Sequence, residues 1–310
     1  MNYPYAVGSI KVLEANILDR NKLSKLFKLE AKDFIKTLIE LGYGSTVSNS
    51  LEEILNSEVE ETKALLDSLT PDKRHTDLFY FASDALNIKA MYKNKFFKLN
   101  NNIFVTTGVI ARNILEQAIY HEDYSELSKD LSKFFKELNE KVEGEVKPRI
   151  LSSKIDQAVF DYILKQNRNA TLKVYFEAII DFNNLLTFIR SRNLHWDYHQ
   201  FLEMYLEGGV IPQEKYAEAY EVNKDVDYLF KDYYHEKVTK GLKLYFEKED
   251  LDILERYFDA LTLEIMREYR YDSFGIGPII YYYLEKQAEA KNIRMIYANK
   301  DIEVSDLLEY

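Results

Sequence analysis

A chain of 310 residues, 46% hydrophobic and 30% charged, is long enough for two or three compact units, and its composition is that of a folded protein rather than a disordered one. Its 10 Gly and 5 Pro are too few for a turn-rich β-sandwich or a doubly wound α/β fold, and the lack of Cys excludes disulfides, thiolate metal sites and a Cys nucleophile. A net charge of −11, from 41 basic and 52 acidic residues, argues against binding nucleic acid or anionic lipid.

Taken in chain order, the N-terminus Met1-Asn2-Tyr3-Pro4-Tyr5 lacks the basic and apolar regions of a signal peptide. Val12, Leu13, Ile17 and Leu18 predict an amphipathic helix. Phe34, Ile35, Leu38, Ile39 and Leu41 predict another, stopped by Gly42-Tyr43-Gly44 as a C-cap. Ser50-Leu51-Glu52-Glu53 has the form of a capping box that opens the next helix. Thr46 to Ser50 and Leu99 to Thr107 are expected loops, with room for short β pieces around Ile103 to Val105. Leu127, Leu131, Phe134, Phe135 and Leu138 continue the helical period. Punctuation falls at Pro71, Gly108, Pro148, Gly208-Gly209 with Pro212, and Gly275 to Pro278, so that Pro278 opens the last long helix. The longest nearly uncharged apolar run, Phe274 to Leu284, is interrupted by Gly275, Gly277 and Pro278 and falls short of the roughly 18 residues of a membrane span. The expectation is an intracellular, all-α chain that does not cross a membrane.

An internal repeat organises this pattern. Asp84, Asp181 and Glu289 are each followed three residues later by Asn87, Asn184 and Asn292, and then by Ile88, Leu185 and Ile293. Met91, Phe188 and Ile296 stand at +7, and Phe79, Phe176 and Leu284 at −5. Spacings of 0, +3, +4 and +7 lie on one helix face, so each copy sets an acid and an amide into an apolar stripe. Leu13-Glu14, Ile155-Asp156 and Leu254-Glu255 precede the copies as expected helix starts. Gly108-Val109-Ile110 and Gly209-Val210-Ile211 follow the first two, and the third copy ends too early to have this part. The expected units are 1–146, 147–246 and a truncated 247–310, arranged about a pseudo-threefold axis as a funnel. The six acid and amide residues suit buried cross-links that fix helix register. A proton-linked site of raised pKa is the alternative.

Other chemistry finds little support. His195 and His199, four apart, would share a helix face as zinc ligands do, but there is no Glu in the catalytic place and no third ligand is signalled. Trp196 and Tyr198 point to a semi-buried helix there instead. His75, His121 and His235 are expected to be solvated. Gly275-Ile276-Gly277 lacks a preceding strand and a third Gly, and no phosphate-binding or nucleophile-elbow motif occurs. No catalytic residue, metal or cofactor is expected. Among the 25 Tyr, Tyr281-Tyr282-Tyr283 and Tyr233-Tyr234 are either interface anchors or half-buried helix contacts.

Leu13-Glu14-Ala15-Asn16-Ile17-Leu18, Leu41-Gly42-Tyr43-Gly44, the threefold D/E-x-x-N-[IL] helices and Ala290-Lys291-Asn292-Ile293-Arg294-Met295-Ile296 together resemble the C-type subunit of prokaryotic V-type (A/V-type) ATPases, whose eukaryotic equivalent is the d-type subunit of the V-ATPase. The resemblance runs from about residue 5 to 300, departing at Ala298-Asn299-Lys300-Asp301 and in the short tail. It implies a funnel of three helical domains on the cytoplasmic end of a membrane rotor ring. There it would receive the central shaft and transmit torque between ATP turnover and H+ or Na+ movement. It further implies a non-catalytic, peripheral, cytoplasmic component, monomeric when isolated, with shaft and ring as partners. A stand-alone helical scaffold or binding module is the rival reading.

Overall fold

The computed structural model describes residues 2–44, 50–100, 104–222 and 226–310. Among the described residues there are only helices and irregular segments, with no strand. The chain divides into two compact units: Met1–Thr76 with Asp259–Tyr310, and Asp77–Phe258.

The first unit holds α1 (Tyr3–Leu13), α2 (Arg20–Ser24), α3 (Ala31–Glu40) and α4 (Leu51–Leu69), with α14 (Gly277–Ala298) as its central helix. Pro278 stands in the first turn of α14, where a missing N–H costs nothing. From Gly277 to Lys286 every residue of α14 is buried. Tyr281, Tyr282 and Tyr283 therefore belong to the core and are not interface anchors. Leu38, Leu55, Ile293 and Ile302 meet in one apolar cluster. Burying each such side chain contributes about 1.5–3 kcal/mol. α3 ends as the sequence predicts. Gly42 takes a left-handed φ of +83°, and the N–H groups of Gly42 and Tyr43 donate to Ile39 and Leu38 carbonyls.

The second unit holds α6 (Arg112–Tyr120), α7 (Lys129–Val142), α8 (Pro148–Gln166), α9 (Ala170–Asn193), α10 (Tyr198–Leu202), α11 (Gln213–Glu221) and α12 (Lys237–Lys248). The division falls inside α5 (Lys73–Phe97) and α13 (Leu251–Arg267). Ser128 caps α7 by accepting from Leu131 N, and Pro148 opens α8. Fully buried Phe188, Phe201, Tyr216 and Phe230 pack edge-on and tilted around one another.

Some expectations give way here. The helical period through Val12 to Leu18 does not make one helix. α1 ends at Leu13, Glu14–Asn16 tightens into a 3-10 turn, and Ile17 is extended. Asp19 then caps α2 by accepting from Lys22 N at 2.8 Å, which requires extended backbone ahead of it. Leu13-Glu14 thus closes a helix instead of starting one, and Ile155-Asp156 lies within α8, while Leu254-Glu255 does open α13. Ile103 and Thr46 to Asn49 lie outside the described residues, and Phe104 and Val105 carry no strand.

Candidate functional site

The six repeated residues occupy three stations of one design, and each side chain is at most 1% exposed. At the first, on α5, Asn87 grips the backbone of Val105 twice: its Nδ2 donates to the carbonyl, and its Oδ1 accepts from the N–H, both at 2.8 Å. Asp84 Oδ2 accepts from Val109 N at 2.7 Å, with Ile110 N near both carboxyl oxygens at 3.4 Å. At the second, on α9, Asn184 grips Leu206 in the same way at 2.7 and 2.8 Å. Asp181 accepts from Val210 N at 2.8 Å and Ile211 N at 3.1 Å. Glycine is required beside both acids, because a Cβ on Gly108 or Gly209 would run into the Asp84 or Asp181 carboxylate. Each segment then enters a nine-residue helix, α6 or α11.

The third station, on α14, is completed from both ends of the chain. Asn292 grips Leu308, in its own tail, at 3.0 and 2.8 Å. Glu289 Oε1 accepts from Leu18 N at 2.5 Å, and the Tyr310 hydroxyl donates to the Leu18 carbonyl at 2.6 Å. Leu18 is followed by Asp19 and α2, as Ile110 is by Ala111 and α6, and Ile211 by Pro212 and α11. The part that the third copy lacks in sequence is therefore supplied by residues 18–24. Sequence reasoning missed Leu18. The available signal was an apolar residue directly ahead of the capping Asp19.

Burial of charge sets the electrostatics. Burial pushes the Asp181 carboxyl up to about 6, against the opposing pull of the Tyr234 hydroxyl at 2.5 Å and the N–H groups of Val210 and Ile211. The bond from Tyr234 anchors a turn in which Tyr234, His235 and Glu236 all have left-handed φ, between 51° and 62°. Burial also raises Glu289, and the Lys286 ammonium, paired with it, pulls the other way. Lys286 is itself buried, bonded to Glu58 at 2.8 Å, and lies over the Tyr43 ring at 4.4 Å. Each carboxylate is turned onto backbone N–H groups and closed off from solvent. The arrangement locks irregular segments onto a long helix at each station and keeps the carboxylates out of solvent.

His195 and His199 are not brought together as ligands. His195 sits in a left-handed turn after α9, with φ +54°, while exposed His199 is on α10, so the two share no helix face. Trp196 is half-buried and takes the Arg149 guanidinium at 4.2 Å. No group of three or more His, Asp or Glu poised for a metal is found among the described residues. His121 and His235 are exposed, but His75 is half-buried with its Nδ1 out of solvent. No helix among the described residues is long and apolar enough to cross a membrane.

A family model described as ATP synthase (C/AC39) subunit matches residues 6–303. No curated protein matches the chain significantly.

Proposed function

Because the chain belongs to the ATP synthase (C/AC39) subunit family, we propose that it is a non-catalytic central-stalk subunit of a V-type ATPase. It links the central shaft to the cytoplasmic face of the membrane rotor ring and transmits torque for ion transport or ATP synthesis. The observation that carries this reading is the triple station. Transmitting torque demands a body that does not yield at its loops, and loops are normally the softest part of a helical protein. Here the segments after α5 and α9 are each cross-linked to the helix by an acid and an amide, and on α14 the amide Asn292 holds the tail at Leu308 while the acid Glu289 holds the N-terminal segment at Leu18. Those helices have 25, 24 and 22 residues, or about 33–38 Å at ~1.5 Å per residue.

Three repeats about a pseudo-threefold axis, with the third completed by the N-terminal segment, remain part of this proposal. So does the location at the membrane periphery on the cytoplasmic side. The test is affinity purification of the tagged chain from solubilised membranes. Recovery of a nucleotide-hydrolysing head and an ion-ring protein is expected. Recovery of the chain alone would favour a stand-alone scaffold and overturn the reading.

A further inference from the structure

α1 turns an apolar stripe away from its own unit. Ala6, Val7 and Ile10 are buried, while Tyr5 is 57% and Val12 73% exposed. Tyr5, Gly8 and Val12, at i, i+3 and i+7, form one line opposite the buried face. The one charged residue of α1 is Lys11, whose ammonium bonds Glu14 at 2.5 Å and lies 5.0 Å from the centre of the Tyr271 ring. Tyr271 and Phe274, in the turn before α14, are 72% and 78% exposed. An exposed apolar surface of this kind marks a contact with another molecule.

Gly8 adds a second observation. It stands in mid-helix, and nothing lies within 4 Å of the place a Cβ would take. Glycine weakens an exposed helix relative to alanine, and this chain alone has no steric use for it. A glycine flanked by Tyr5 and Val12 does have a use when another backbone comes close, seating between the two larger side chains.

Charge selects the occupant. Two cations lie against the Tyr271 ring, Lys11 and Arg270 at 5.0 and 5.2 Å, and both pair with the single carboxylate of Glu14. Glu268 and Asp272 flank the turn in sequence, and Asp272 accepts from Phe274 N, so the border carries three carboxylates against two cations. A bilayer offers an apolar phase edged by anionic headgroups, and a second copy would bring the same carboxylates; both have the wrong sign. The complement is an apolar helix edged by Lys or Arg on a different protein. We propose that the Tyr5-Gly8-Val12 stripe, with Tyr271 and Phe274 beside it, docks such a helix from another subunit of the ATPase. The source of the partner rests on the family reading above.

The test compares the melting temperature of the isolated chain with its retention in the assembled complex. Gly8→Ala is expected to melt roughly 1–4 °C higher. Gly8→Trp and Phe274→Asp, both at open surface positions, are expected to fold and to lose retention by about tenfold or more. A lowered melting point for Gly8→Ala, or full retention of Phe274→Asp, overturns the proposal. So does a wild-type dimer, or binding to anionic vesicles, that Phe274→Asp abolishes. If wild type itself is not retained with ATPase subunits, the failure belongs to the family-based function and not to this surface.

Discussion

Glu289 Oε1 accepts a hydrogen bond at 2.5 Å from the backbone N–H of Leu18, 271 residues away in the chain. The corresponding acids, Asp84 and Asp181, find their backbone partners within 25 to 30 residues. Glu289 thus joins the two chain segments of the first unit, beside the Tyr310–Leu18 hydrogen bond and the Lys286–Glu58 ion pair. Glu289→Ala removes the partner of a buried N–H and leaves Lys286 to Glu58 alone. Each loss costs about 1–3 kcal/mol, so the melting temperature should fall by several degrees. Thermal melts of the isolated chain decide it, and an unchanged midpoint would remove the clasp from the account.

The three amides should rank by how far water can replace them. Leu206 and Leu308 are buried, so losing Asn184 or Asn292 strands both an N–H and a carbonyl, at about 1–3 kcal/mol each. Val105 is half-buried, and water can reach it. Asn184→Leu and Asn292→Leu are therefore expected to lower the melting temperature more than Asn87→Leu. None should slow ATP hydrolysis by the detached catalytic head. A stable Asn184→Leu chain combined with a dead head would point to an active or ion-handling site instead.

Asp181 gives a pH signature. Its folded pKa of about 6 lies above the ordinary 3.8, so between those values the folded chain binds more protons than the unfolded one. The contribution of Asp181 to stability is greatest below pH 4, declines as pH rises to about 6, and is flat above that. A shift of about two units amounts to roughly 3 kcal/mol. Denaturant melts from pH 4 to 7 should show wild type losing stability relative to Asp181→Asn by that order. A difference that is constant with pH, or that grows in favour of wild type, contradicts the assignment.

The net charge of −11 makes a further demand. If the acidic body meets a basic foot of the shaft, their attraction is screened as the Debye length falls from ~10 Å at 0.1 M salt to ~3 Å at 1 M. Binding of purified shaft to the chain should weaken across that range, read by titration at each salt concentration. Salt-independent binding would mean an apolar contact.

How much of this could be read from the sequence varies by residue. The acid and amide faces of α5, α9 and α14 were visible because a helix fixes which residues share a side, and Gly42 and Pro278 marked helix ends by local chemistry alone. Leu18 was not visible as the partner of Glu289, since no local pattern links positions 271 apart, and its apolar neighbours imitated a helix. The His195–His199 spacing misled for the opposite reason: a left-handed residue at 195 breaks the period that makes i and i+4 neighbours. Tyr281 to Tyr283 were ambiguous because burial of a whole helix circumference leaves no amphipathic contrast to read.

The central claim is that this chain connects ATP turnover to ion movement without taking part in the chemistry. The direct measurement is ATP hydrolysis and ATP-driven ion transport in membrane vesicles carrying the complex with and without this chain. The account predicts that complexes lacking it still hydrolyse ATP in the head while ion transport stops, and that adding the purified chain restores transport. Transport that persists without the chain, or hydrolysis that vanishes with it, would contradict the account.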